Sequence, residues 1–145
     1  MTMIEKYFGS RINSALLIIR IIIGLIFFLH GIAKFNMGID GTTAFFASVG
    51  IPLAALFAWI VTLVETFGGL ALILGIGTRI TALLLAITMI VASIIVIQMG
   101  SPLINTQLAT GYELNLALIA ALIPIIILGP GRYSLARYVI IKDQD

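Results

Sequence analysis

The chain has no cysteine among its 145 residues, a single histidine, and only 10% charged residues. Each scarcity excludes something. Without cysteine there is no disulfide scaffold, no thiolate metal ligation and no path for electrons through a protein dithiol. One histidine cannot complete a metal or haem site, so no metal and no covalently held cofactor are expected. Eight Lys and Arg against six Asp and Glu leave a net charge of +2 with no concentrated basic patch. Nucleic acid is therefore not an expected partner. No charged linker, Pro/Ser-rich hinge or low-complexity tract divides the chain, and residues 1–145 read as a single domain.

What is abundant is hydrocarbon. The sequence is 61% hydrophobic with a mean hydropathy of +1.23, well beyond an ordinary soluble domain, and its first partner is the lipid bilayer. Apolar runs at about 14–33, 52–74, 80–99 and 112–128 each approach the roughly 20 residues needed to span a membrane. The expected fold is all-α, an integral membrane four-helix bundle. The first run is too long for the core of a signal peptide and is expected to stay in the membrane. Lys6 and Arg11 precede the first span, Arg79 joins the second and third, and Arg132, Arg137 and Lys142 follow the fourth. The other face carries Lys34 beside Asp40 and an uncharged loop near 101–111. The positive-inside rule then predicts both termini cytoplasmic, in the cell membrane. In the first outer loop, GIDGTTAFFASVGIP predicts a short interfacial helix carrying Phe45, Phe46 and Val49, with Asp40 or Thr42 as its cap.

Ionisable residues inside the spans carry the functional reading. A central charge costs roughly 2.5–3.5 kcal/mol on insertion scales, so each should face the bundle interior and find a partner. Arg20 lies about two turns into span one and Glu65 near mid-membrane in span two. Their backbones are expected to differ in depth by roughly 6 Å, which makes Arg20 the first candidate partner for Glu65. A second group gathers toward the outer face: His30 and Lys34 on span one, Glu113 and Tyr112 opening span four with Asn115 nearby, and Gln98 closing span three. Arg20, Gly24, Phe27, Gly31 and Lys34 share one helical stripe with His30 at its edge. Pro124 is expected to free a backbone carbonyl near Ala120. Gly24, Gly31, Gly68, Gly69 and the Ala54/Ala58, Ala82/Ala86 and Ala117/Ala121 pairs suit close helix packing. GPGR at 129–132 reads as a helix stop with a cytoplasmic anchor.

The order RIIIGLIFFLHGIAKF, FFASVGIP, ETFGGLALILGIGTR, GYELNLALIAALI and GPGRYSL resembles the DoxX family of small four-span membrane proteins, over about residues 16–135. The most specific elements are Arg20, the His30-Gly31-Lys34 run, the stretch from Glu65 to Arg79, and Gly111-Tyr112-Glu113. The resemblance implies a four-helix bundle in the cytoplasmic membrane and an association with redox metabolism. Relatives include a quinone-reducing subunit of an archaeal thiosulfate oxidoreductase and components tied to oxidative-stress defence. One departure matters: many relatives carry a histidine near the end of the third span, where this chain has Gln98. That weighs against any role needing two histidines.

Each residue admits a plain reading beside the functional one. Arg20 and Glu65 can be an ion pair that fixes helix register, or a proton relay and quinone contact. His30 can be an interfacial hydrogen-bonding residue or a catalytic one. Lys34 can be a snorkelling anchor or a ligand contact. Tyr112 and Glu113 can cap span four or the mouth of a pocket. Three functions are carried forward. The first is a membrane subunit of a quinone-linked redox system, with Glu65 and His30 as catalytic candidates and Arg20, Lys34, Glu113, Tyr112 and Phe27 lining the ligand. Gly31, Gly68, Gly69 and Arg79 are structural. Electrons would come from a soluble oxidoreductase at the cytoplasmic face. The second is a non-catalytic scaffold or assembly factor docking a partner through the basic tail. The third is a small transporter, for which a homo-oligomer would supply the missing symmetry.

Overall fold

The computed structural model of the chain describes residues 3–106 and 111–136, with side chains from residue 9 onward. Arg137 and Lys142 of the basic tail, and the side chain of Lys6, lie outside the described residues. Five helices follow in order: α1 (Met3–Met37), α2 (Ile39–Ser48), α3 (Ala54–Leu74), α4 (Thr78–Gln98) and α5 (Glu113–Leu128). Helices α1, α3 and α4 are long and apolar enough to cross a membrane, and α5 is an apolar helix of 16 residues. The chain is thus a multi-pass membrane protein built as a helical bundle.

Boundaries follow local chemistry. Helix α1 runs well past the apolar segment at its start, where Asn13 Nδ2 donates to the Gly9 carbonyl (2.6 Å) and Ser14 Oγ to that of Ser10. At its far end it stops on Gly38, whose φ of +85° only glycine adopts freely. Helix α3 stops on Gly75 (φ +77°). There the amide of Gly75 reaches the Leu72 carbonyl (3.2 Å) and that of Ile76 the Ala71 carbonyl (3.0 Å), which closes the last turn. The same bonding ends α2 at Gly50 and α4 at Gly100. The expected short helix in the first loop forms as α2. Its cap differs from expectation: Gly38 holds that position without a side-chain bond. Asp40 lies within the first turn instead, and Thr42 lines a cavity.

Helix α1 lies along α3 and α4 along α5, while α3 meets α4 and α5 returns to α1 to close a ring; α2 packs on α3 and α1. The core joins Ile23 and Phe27 of α1, Leu72 of α3, Leu85 and Met89 of α4, and Leu122 and Ile125 of α5. Ile18, Ile22, Leu25 and Leu29 of α1, and Leu83, Ile87, Ile90 and Ile94 of α4, lie exposed on the outward faces. Such apolar outer faces suit hydrocarbon rather than water.

Glycine sets the approach of α1 to α3. A Cβ on Gly69 would stand 2.5 Å from the Phe28 amide nitrogen and 2.6 Å from the Gly24 carbonyl oxygen, and one on Gly24 would stand 3.1 Å from the Ile73 nitrogen. Gly31 rests against the backbone of Thr66, whose hydroxyl bonds within its own helix to Thr62. The antiparallel pairs 24/73, 28/69 and 31/66 each sum to 97, which fixes the register.

Candidate functional site

That register decides which charges meet. With the sum at 97, Glu65 is level with residue 32, two positions from Lys34 and twelve from Arg20. Twelve residues amount to about 18 Å along a helix, too far for an arginine side chain. Side-chain tilt acts in the same sense, because Cβ bonds lean toward the helix N-terminus. In antiparallel helices Lys34 and Glu65 therefore lean toward each other, while Arg20 and Glu65 lean apart. The structure pairs Lys34 Nζ with Glu65 Oε2, the carboxylate side chain 4% exposed and the lysine 22%. The expected Arg20–Glu65 pair is thus corrected, and Lys34 is an ion-pair partner rather than a free snorkelling anchor.

Arg20 turns to the other end of the bundle, which carries the N-terminal part of α1 and the segment after α5. It is 2% exposed. One guanidinium nitrogen, Nη1, donates to the Pro130 carbonyl and the other, Nη2, to that of Tyr133 (2.6 Å); Nε is buried without a partner among the described residues. Asn13 Oδ1 accepts the Arg132 amide at 2.7 Å, and Arg79 Nη2 donates to the Ile127 carbonyl at 3.3 Å. Two cations thus lie at the C-terminal end of α5, where helix dipole and open carbonyls favour them. Gly75 makes room for this: a Cβ there would stand 2.6 Å from Ser134 Cβ and 3.0 Å from Arg20 Cζ. The GPGR stretch ends α5 as expected, and it is also the seat of Arg20.

Between the α1/α3 and α4/α5 pairs, at the α2 end, lies a cavity of about 890 Å³. Its walls are mostly aliphatic and aromatic, with Phe27, Phe45, Phe46, Phe57 and Met89 among them. Lys34, Glu65 and His30 form its polar patch on α1 and α3. The exposed His30 directs Nδ1 to the Ile26 carbonyl (2.8 Å), which can only accept, so Nδ1 donates and in the neutral ring Nε2 is the acceptor. Thr42, Thr88 and Asn115 add polar groups from α2, α4 and α5; the Thr88 hydroxyl is taken by Leu84.

Of the residues singled out from the sequence, the cavity gathers Phe27, His30, Lys34 and Glu65, and does not include Arg20, Tyr112, Glu113 or Gln98. Glu113 instead ties its own loop: Oε1 accepts the Asn105 amide (3.1 Å), and the Glu113 amide reaches the Leu103 carbonyl (3.0 Å). Gly111 lies against the backbone of Ile104 and Asn105. Among the described residues, no group of three or more His, Cys, Asp or Glu gathers to hold a metal.

Residues 15–98 match the DoxX family. A Bacillus subtilis protein named "Putative oxidoreductase CatD" is 40% identical over 86 residues, 59% of this chain and 61% of that protein, so the match leaves over a third of that relative uncovered. The "Inner membrane protein YphA" of Escherichia coli is 32% identical over 133 residues, 90% of this chain and 94% of that one. A Mycobacterium tuberculosis membrane protein, Rv3486, is 32% identical over 127 residues, 82% of this chain and 77% of that one. No solved structure matches the chain.

Proposed function

The chain belongs to the DoxX family, and from that premise we propose that it is the membrane component of a quinone-linked redox system, with the quinone head group held against Lys34, Glu65 and His30. The observation that carries the reading is the placing of the ion pair on the wall of a cavity lined otherwise by hydrocarbon. A volume of about 890 Å³ lies within the roughly 300–1,000 Å³ of small-molecule sites, and apolar walls with a few convergent polar groups suit an aromatic head on an apolar tail. The name of the Bacillus subtilis relative lends support to redox chemistry.

A bound quinone supplies the capacity to take up two electrons and two protons. The chain's residues supply the rest. Lys34 Nζ, now on Glu65, has further hydrogens to donate to a carbonyl oxygen. His30 Nε2 is an acceptor, suited to the hydroxyl of the reduced form. As Lys34 turns toward a ligand oxygen, Glu65 becomes the nearest carboxylate able to take or return a proton. Arg20 has no part in this site. The two electrons come from a soluble oxidoreductase that reaches the bound head group, because the chain has no cysteine to relay them.

Mass spectrometry of an organic extract from detergent-purified protein tests the reading. Stoichiometric quinone in the wild type, and its loss in a folded Glu65→Gln variant, is the expected result. An extract without quinone sinks it. The scaffold alternative would then lead, resting on the fixed 129–134 segment and the exposed Arg132 within it.

A further inference from the structure

Asn115 lies in the first turn of α5, half-buried on the cavity wall. Among the described residues its amide has no hydrogen-bond partner. The amide is only half-buried, so it stays open to whatever fills the cavity. Its neighbours on that wall are Leu114 and Leu118, so the polar group stands out. The order of the ring is α1, α3, α4, α5, which sets α5 diagonally across from α3 and its Glu65. The cavity therefore carries Lys34, Glu65 and His30 on its α1/α3 wall and, on its α4/α5 wall, an amide able both to donate and to accept, on a helix that adjoins α1 and lies diagonal to α3.

We infer that Asn115 is the second polar anchor of the cavity and that it binds the ring oxygen that the Lys34–Glu65 pair does not hold, so the site selects a ring bearing two opposed oxygens over one bearing a single oxygen. This rests on the quinone reading and deepens it. An amide suits such a place because it donates to a carbonyl and accepts from a hydroxyl, and so holds either oxidation state. Asn115 is a positioning and selectivity residue, and the proton chemistry stays at Glu65 and His30.

The test uses two ligands with the same tail, decylhydroquinone and decylphenol, which differ by one ring hydroxyl. Each competes in reconstituted vesicles against decylbenzoquinone, whose binding is read from quenching of the single tryptophan, Trp59 of α3, next in sequence to the cavity-lining Ile60. In the wild type the two-hydroxyl ligand should bind about tenfold more tightly, the worth of one good hydrogen bond. Asn115→Leu should abolish that preference and leave decylphenol affinity unchanged. Asn115→Ala, which opens the cavity rather than filling it, should do the same. A preference that survives both substitutions, or an equal weakening of both ligands, overturns the assignment while the quinone reading stands. Failure of both ligands to compete in the wild type overturns the two together.

Discussion

Replacing Lys34 by methionine should destabilise the bundle far more than replacing Glu65 by glutamine, although each breaks the same ion pair. The Glu65 side chain is 4% exposed and that of Lys34 22%. Removing the lysine strands a buried carboxylate, for which roughly 3–5 kcal/mol is typical. Removing the carboxylate's charge leaves an ammonium with some access to solvent and an amide oxygen still able to accept, so about 1 kcal/mol is expected. Lys34→Met with Glu65→Leu removes both charges and should recover most of the loss, giving a coupling of at least ~2 kcal/mol. Arg20, about 18 Å away along the register, should be additive with Glu65 to within about 0.5 kcal/mol. The assay is equilibrium unfolding in mixed micelles followed by the single tryptophan. Trp59 of α3 packs edge-on against Phe35 of α1 at 6.1 Å, so its emission reports separation of the two helices. Additivity of Lys34 with Glu65, or strong coupling of Arg20 with Glu65, refutes the register and the site built on it.

Further outcomes follow from close contacts elsewhere. Gly69→Ala should cost about 1–3 kcal/mol in the same assay, because its Cβ meets backbone 2.5 Å away at Phe28. Gly68→Ala, whose Cβ would meet only side chains at 3.3 Å and beyond, should cost much less. Arg20→Met should free the segment after α5 and speed tryptic cleavage at the exposed Arg132 by about tenfold or more, since two charge-assisted bonds are lost. Arg20→Lys should not restore protection, because an ammonium lacks the planar fork that reaches two carbonyls at once. Cleavage at the wild-type rate in either variant contradicts the clamp.

The helical framework was largely legible because a bilayer demands it. Long apolar runs mark the spans, and GPGR at 129–132 marks where the last helix stops. The site was legible only in part. His30, Lys34, Phe27 and Glu65 stood out as polar or aromatic groups on facing stripes, yet depth counted from span ends paired Glu65 with the wrong cation. Gly24, Gly31 and Gly69 held the correction, since small residues on two antiparallel helices must face one another, and that fixes the register. Arg20's partners left no trace in the sequence, because a backbone carbonyl is carried by every residue. Glu113 ties its own loop, its bonds running to the backbone at Leu103 and Asn105, contacts that no residue type announces in the sequence. A cavity leaves no pattern of its own. Its size follows from how α2 bridges α1 and α3 without packing closely on α4 or α5.

The most direct test of the site is a titration of decylbenzoquinone into reconstituted protein, read from quenching of Trp59, comparing the wild type with Arg20→Met and with the Lys34→Met/Glu65→Leu double variant. Saturable binding is expected in the wild type, unchanged affinity in Arg20→Met, and loss of at least ~tenfold in the double variant, the worth of the hydrogen bond from Lys34. Equal affinity in all three, or loss confined to Arg20→Met, would contradict it.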